Sequence, residues 1–103
     1  MALTSYPNVT INASNTIVID GRHDRVIFTS TLGTSVNLQI ASIAPAGLKF
    51  WAVQYGASAI GITAGSGATV NSLGGKTGTG GQYSTIMVVM VTDGNAVFTG
   101  DTA

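Results

Sequence analysis

Short runs of β-branched and aromatic residues, separated by Gly, Asn, Asp and Ser, fill most of this chain and constrain its fold more than any other feature. Strand chemistry between turn residues is typical of all-β proteins. Val36, Leu38 and Ile40 recur at every second position, as in a strand with one buried face. Asp93-Gly94 lies between two apolar runs and predicts a hairpin, because both residues tolerate positive φ.

About eight such segments at short spacing predict an antiparallel β-sandwich or jelly-roll-like domain. Residues 1–14 mix Thr, Ser and Asn with apolar residues and contain Pro7, and we interpret them as an extended N-terminal arm. Residues 15–103 then form a single β domain. The predicted strands cover residues 9–12, 15–20, 25–30, 35–42, 48–56, 59–65, 68–72, 82–91 and 95–101.

Charged residues are unusually scarce. They make up 8% of the chain, against about 25% in an ordinary soluble domain, and the formal net charge is zero. Obligate interfaces are depleted in charge, so we expect much of the surface to contact other protein. Nucleic acid is not an expected partner, because phosphate binding depends on several cations acting together and only Arg22 and Arg25 lie close in sequence.

Nothing in the sequence indicates export, membrane insertion or thiol chemistry. The chain contains no cysteine, which excludes disulfides, thiolate metal sites and cysteine nucleophiles. Residues 1–10 lack the basic start and apolar centre of a signal peptide. The longest apolar run, Ile86–Val91, is too short for a membrane-spanning helix. We expect a soluble protein without a membrane partner.

Titratable groups are too few for a convincing catalytic site, and we expect neither enzymatic activity nor a cofactor. There is one histidine, and the four carboxylates are all aspartate. The only charged cluster, DGRHDR, is interpreted as a polar surface turn. In the alternative, Asp20, His23 and Asp24 ligate a metal or form an acid–base pair. A third interpretation is an interface in which Arg22 or Arg25 binds a carboxylate of a neighbouring chain.

Gly75-Lys76-Thr77 looks like the end of a phosphate-binding loop. The motif G-x-x-x-x-G-K-[ST] needs a first glycine, and Val70 stands at that position. The motif also needs a following helix, whereas a β-branched run follows here. We therefore predict a flexible surface loop over residues 73–81.

Aromatic and methionine residues supply further contact candidates. Either a sugar-binding face or packing in the core and at interfaces suits Trp51, Phe50 and Tyr55, and packing is favoured. Met87 and Met90 have the character of core residues. Their strand is apolar on both faces, however, so it needs cover from a partner or a further layer.

Four segments in the C-terminal part form a succession: GLKFWAVQYG, ITAGSGATVNS, GQYSTIMVVMV and FTGD, within roughly residues 47–101. This succession resembles a β domain found in virion proteins of tailed bacteriophages, including tail-fibre, receptor-binding and capsid-decoration proteins. The positions that match the pattern are Gly47, Gln54, Gly56, Gly67, Val70, Asn71, Gln82, Tyr83, Ser84, Gly100 and Asp101.

The resemblance implies a non-enzymatic structural protein on the exterior of a phage capsid. The expected form is a homotrimeric decoration (cement) protein that binds across major capsid protein subunits. The alternative is a tail-fibre or tail-tip module that recognises a glycan on the host surface. The interface candidates are Tyr6, Pro7, Arg22, Arg25, Trp51, Tyr55, Met87 and Met90.

Overall fold

The computed structural model describes residues 7–11 and 16–103, which form β-strands joined by turns. The strands are β1 (Asn8–Ile11), β2 (Thr16–Ile19), β3 (Ile27–Ser30), β4 (Val36–Ile40), β5 (Lys49–Gln54), β6 (Ile60–Ala64), β7 (Thr69–Ser72), β8 (Thr85–Thr92) and β9 (Asn95–Gly100). Two three-residue 3-10 turns occur at Gly21–His23 and Leu73–Gly75. The all-β prediction is confirmed. Within the described ranges, no helix has the length and apolar character needed to cross a membrane.

The strands form two sheets that enclose one core. The larger sheet has the order β1-β3-β5-β8-β9-β7, and the smaller has the order β2-β4-β6. The first six strands therefore alternate between the sheets along the chain. Each successive pair makes one turn of a coil, and the next turn stacks on it in parallel. The arrangement of β1 to β6 is solenoid-like.

The antiparallel part of the fold prediction needs correction. Only β5/β8 and β8/β9 pair antiparallel among the described strands, and the other five ladders are parallel. Parallel neighbours need a long crossover connection. Here a strand of the opposite sheet is part of that crossover, so short loops coexist with parallel pairing. A jelly-roll-like arrangement is not confirmed.

The predicted hairpin is confirmed between β8 and β9. Gly94 has a φ of 70°, and a Cβ there would lie 2.7 Å from the carbonyl oxygen of Ser42. The Gly94 N–H donates to the carbonyl of Ala44 (2.9 Å), and Asp93 Oδ1 accepts from the N–H of Ala46 (2.9 Å). The turn thus also holds the loop between β4 and β5, and only glycine fits that close approach.

Residues 8–11 of the predicted arm over residues 1–14 need a second correction, whereas residues 1–6 and 12–14 lie outside the described residues. Residues 8–11 form β1, the edge strand of the larger sheet, which pairs with β3. The Ile27 N–H donates to the carbonyl of Pro7 (2.8 Å), and Ile11 is only 3% exposed. Burial of this apolar side chain makes the segment part of the body. Tyr6 lies outside the described residues.

Alternating side chains from both sheets fill the core, as the period-2 pattern predicts. On β5, Phe50 and Ala52 lie inside and Trp51 lies on the other side. Phe28 and Phe50 meet edge to face, with ring centroids 5.7 Å apart. The buried apolar residues are Ile11, Ile19, Val26, Phe28, Val36, Leu38, Ile40, Ala44, Leu48, Phe50, Ala52, Ile60, Ile62, Ile86, Val88, Met90, Ala96 and Phe98.

Candidate interaction surfaces

The outer sides of the two sheets differ in chemistry. Strand register defines which residues share each outer side, because side chains alternate along every strand. The outer side of the smaller sheet is mostly polar and consists of Thr16, Val18, Asn37, Gln39, Gly61 and Thr63. The outer side of the larger sheet's four central strands carries six apolar residues, Ile27, Trp51, Val53, Met87, Val89 and Val97, which we call the apolar face. Thr29, Lys49, Thr85 and Thr99 lie on the same side of these strands.

The apolar face is continuous across the four central strands. Ile27, Trp51 and Met87 lie side by side on β3, β5 and β8. Val89 and Val97 lie side by side on β8 and β9. The outer positions of the two edge strands are polar instead: Asn8 and Thr10 on β1, and Thr69 and Asn71 on β7. An apolar centre with a polar rim is the usual composition of a protein–protein interface.

One charged side chain, that of Lys49, lies on the same side of the sheet as the apolar face. Within the described strands of the larger sheet, Lys49 is the only Lys, Arg, Asp or Glu. Its Nζ lies 6.0 Å from the centroid of the Trp51 ring, at the outer limit of a cation–π contact. Trp51 and Met87 are half-buried, whereas Val97 is 41% exposed. The face therefore presents mainly hydrocarbon to its surroundings.

The two methionine candidates lie on opposite sides of β8. Met87 lies on the apolar face, but Met90 is 1% exposed and belongs to the core. Three positions apart in a strand means opposite faces, because the side-chain period is two. Met90 therefore offers no surface to a partner in this chain. The strand's outer side is half-buried rather than fully covered, so the cover expected from the sequence is not supplied by the described chain.

An exposed pair of tyrosines lies where β5 ends. Tyr55 and Tyr83 are 48% and 68% exposed, and their rings meet edge to face with centroids 6.1 Å apart. Tyr83 has a φ of 69°, which is costly for a bulky residue. Its N–H donates to the carbonyl of Gln54, and Gln82 Nε2 donates to the carbonyl of Tyr55 (3.0 Å). Sequence reasoning selected Tyr55 but did not pair it with Tyr83, since 28 positions separate them.

The cluster DGRHDR forms a surface turn, which confirms the preferred interpretation. Asp20 caps the 3-10 turn by accepting from the Arg22 N–H and Nε, both at 3.0 Å. The Arg22 side chain holds the pKa of Asp20 below its usual value of 3.8. His23 Nδ1 accepts from the Asp20 N–H (3.2 Å), and its ring packs 5.6 Å from Phe28. These contacts assign the histidine a structural role.

The second half of the cluster binds the neighbouring strand. Arg25 Nη1 donates to Asp24 Oδ2 (2.8 Å), and Asp24 Oδ1 accepts from the Lys49 N–H (3.2 Å). Both arginine candidates, Arg22 and Arg25, thus bind carboxylates of their own chain. No group of three potential metal ligands occurs among residues 7–11 and 16–103.

The loop over residues 73–81 is only partly at the surface, which corrects its prediction as a flexible surface loop. Gly78 and Thr79 are buried. The Ile62 N–H donates to the carbonyl of Thr77 (2.9 Å), and the Thr79 N–H donates to that of Ile60 (3.0 Å), so the segment extends the smaller sheet beside β6. No helix follows Lys76, which has extended backbone angles. The requirements of a phosphate-binding loop are not met.

Lys76 instead lines an open groove of about 330 Å³ between β6 and β7. The groove has apolar residues at Ile62 and Val70 and polar ones at Asn71 and Ser72. The Ser72 hydroxyl donates to the carbonyl of Lys76 (2.8 Å), which closes the turn. No carboxylate or histidine lines the groove, and we make no catalytic assignment to it.

The fold and these surfaces define a charge-poor, all-β protein whose most developed feature is an apolar sheet face. Comparison with known protein families, with curated proteins and with solved structures finds no match to this chain.

Proposed function

We propose that this chain is a structural protein of a tailed-bacteriophage virion. In this proposal it is a homotrimeric decoration protein that binds across major capsid protein subunits on the capsid exterior. The observation that carries a structural role is the apolar face with its polar rim, in a chain with 8% charged residues. The resemblance of residues 47–101 supplies the virion context.

The physical basis of this role is buried area. An apolar sheet face gains free energy of roughly 25 cal/mol for each Å² removed from water. A decoration protein stabilises a shell only while it is bound, because it stabilises the assembled state over the free subunits by mass action. The role needs surfaces rather than titratable groups. In agreement with this, His23 and each of the four aspartates accept a hydrogen bond from a backbone N–H.

Two samples provide the test: purified virions, and capsid shells that lack the protein. We expect electron microscopy to locate the chain on the shell surface and added protein to raise the temperature at which bare shells break. Deletion of residues 1–6 retains every residue that the structure describes and asks whether the N-terminus contributes to capsid binding. A position on the tail, or absence from the virion, would reject the capsid role.

A host-recognition module is the second candidate, and the Tyr55–Tyr83 pair favours it. Two exposed rings held at fixed geometry can pack against the C–H faces of a sugar. Under this candidate, Tyr83→Asn should abolish glycan binding on an array without unfolding the protein, because asparagine tolerates positive φ. Val18→Asn, on the other sheet's outer side, is the control. Equal glycan signals from both variants would eliminate the tyrosine pair as the binding site.

A further inference from the structure

We infer that the groove between β6 and β7 is a docking site for an extended peptide strand that carries a carboxylate. The strand belongs to a partner protein. It adds to the free edge of β7 and places its carboxylate beside Lys76. The inference goes beyond the proposed function, because it concerns a different surface and names the chemistry of what binds there.

β7 has a free edge because it ends the larger sheet, with β9 as its single neighbour among the described strands. The backbone groups of successive residues in a strand point alternately to its two neighbours. The Thr69 N–H donates to the carbonyl of Gly94 (2.8 Å), so the backbone groups of Thr69 and Asn71 bond toward β9. Those of Val70 and Ser72 therefore point away from the sheet, and no described strand pairs with them.

The free edge borders the groove of about 330 Å³, since Val70 and Ser72 both line it. Ile62 and Ala64 of β6 line the opposite side, and Val70 is half-buried against the core. The segments outside the described residues attach to β1 and β2, which are the opposite edges of the two sheets. The groove therefore offers an added strand backbone partners along one side and apolar contacts beneath it.

An extended peptide is the ligand that these groups fit. Recognition by strand addition takes its affinity from main-chain hydrogen bonds to a sheet edge and its specificity from pockets for alternate side chains. Val70 and Ser72 supply the main-chain donors and acceptors, and the hydrocarbon of Ile62 and Val70 contacts every second side chain of the added strand. β7 also lacks the charged residues and proline that commonly protect an edge from pairing.

The carboxylate follows from charge complementarity. Lys76 is the only charged residue that lines the groove, and its side chain forms no ion pair within the described ranges. Ala103 is bound to the neighbouring Thr77 but does not line the groove. A symmetric pairing of two β7 edges would bring a second Lys76 to the same place, so another copy of this chain is the poorer occupant. Because Lys76 is exposed, the ion pair fixes the register of the strand more than its affinity.

NMR titration of the full chain with synthetic peptides tests the inference. The probes are two short acetylated peptides of alternating valine and serine, with an aspartate at one end or at the other, so that both strand directions are sampled. With peptide at about ten times its Kd, amide exchange at Val70 and Ser72 should slow about tenfold. Exchange at Asn71 should not change, since its N–H already bonds to β9.

Matched probes and variants separate the two parts of the recognition. Methylation of alternate peptide nitrogens removes main-chain donors but keeps the side chains, and it should weaken binding at least about tenfold. Replacing the aspartate of the peptide by asparagine should weaken binding about two- to fivefold in the wild-type protein. It should have no effect in Lys76→Gln. Lys49→Gln, which removes a lysine from the larger sheet's outer side, is the control and should respond as the wild type does.

Several outcomes would overturn the inference. They are no binding of either peptide, binding that N-methylation leaves unchanged, and protection confined to amides other than those of Val70 and Ser72. Equal responses of Lys76→Gln and Lys49→Gln to the loss of the peptide carboxylate would overturn the role of Lys76. Protection of the Val70 and Ser72 amides that rises with protein concentration, without peptide, would make a second copy the occupant and overturn the proposed partner.

Discussion

The hydroxyl of Thr79 donates a 2.7 Å hydrogen bond to Oε1 of Gln54 in the interior of the protein, 25 positions away in sequence. The same hydroxyl accepts from the Ile60 N–H (2.8 Å), and Gln54 Nε2 donates to the carbonyl of Gly56 (3.0 Å). Thr79 and Gln54 are 3% and 2% exposed. Two buried polar side chains thus satisfy each other and join the larger sheet to the segment that extends the smaller one.

Thr79→Val tests this network. The substitution keeps the shape but leaves Gln54 Oε1 and the Ile60 N–H without the hydroxyl partner. We expect a loss of about 1–3 kcal/mol in the free energy of unfolding, measured with urea. Thr77→Val is the matched control, since Thr77 is exposed and its hydroxyl makes only a 3.3 Å bond to the carbonyl of Ala103. Equal stabilities for the two variants would show that the buried network contributes little.

Gly78→Ala tests how closely the loop approaches β6. A Cβ at residue 78 would overlap the carbonyl oxygen of Ile60 and lie 2.9 Å from Cα of Gly61. The backbone must separate to accommodate it, so we expect a loss of at least about 1 kcal/mol. At Gly81 a Cβ meets nothing within 4 Å, so Gly81→Ala should leave the unfolding midpoint unchanged or slightly raised. A Gly78→Ala variant as stable as Gly81→Ala would contradict the pairing.

The separation of Met90 from Met87 is testable by truncation. Met90→Ala creates a cavity in the core and should cost about 2–5 kcal/mol. Met87→Ala, on the apolar face, should cost about 1 kcal/mol or less in the single subunit. Urea unfolding needs parallel sedimentation, because the stability of an assembly depends on subunit concentration. A larger loss of unfolding free energy in Met87→Ala than in Met90→Ala, measured on single subunits, would refute the inward position of Met90.

The charged turn yields a prediction about pH. Because Arg22 lowers the pKa of Asp20 in the folded state, the ionised carboxylate stabilises the fold above its usual pKa of 3.8. This contribution is lost as the pH falls through the lowered pKa. NMR titration of the carboxyl should give a value below 3.8, which Arg22→Gln returns toward 3.8. Arg25→Gln should not change it, since Arg25 binds Asp24. An Asp20 pKa that is unchanged in Arg22→Gln would show that Arg22 does not lower it.

Much of the secondary structure was predictable because its causes are local. Val36, Leu38 and Ile40 alternate in the sequence and occupy the inner side of β4. Asp93-Gly94 supports a turn between two apolar runs wherever those runs meet. The polar turn at DGRHDR likewise follows from a side chain that caps its own backbone. Such features depend on neighbours within a few positions.

The candidate surfaces were predictable only in part. The scarcity of charge indicated association, and Trp51 and Met87 were among the selected residues. Val97 was not selected, because a single valine in an alternating strand has no visible partner until β9 is paired with β8. Tyr83 became a candidate only through its position beside Tyr55. The members of a surface come from different strands, and their proximity is a property of the sheet.

The sequence by itself determined that the chain is all-β, where its clearest strands and one hairpin lie, and that it has few charges to place in water. Only the tertiary structure decided that β1 belongs to the body, that most neighbours run parallel, and that Thr79 lies inside. The physical reason is that a period-2 pattern specifies which side of a strand is buried, and it is identical for parallel and antiparallel neighbours. The choice of neighbour depends on contacts between segments that are distant along the chain.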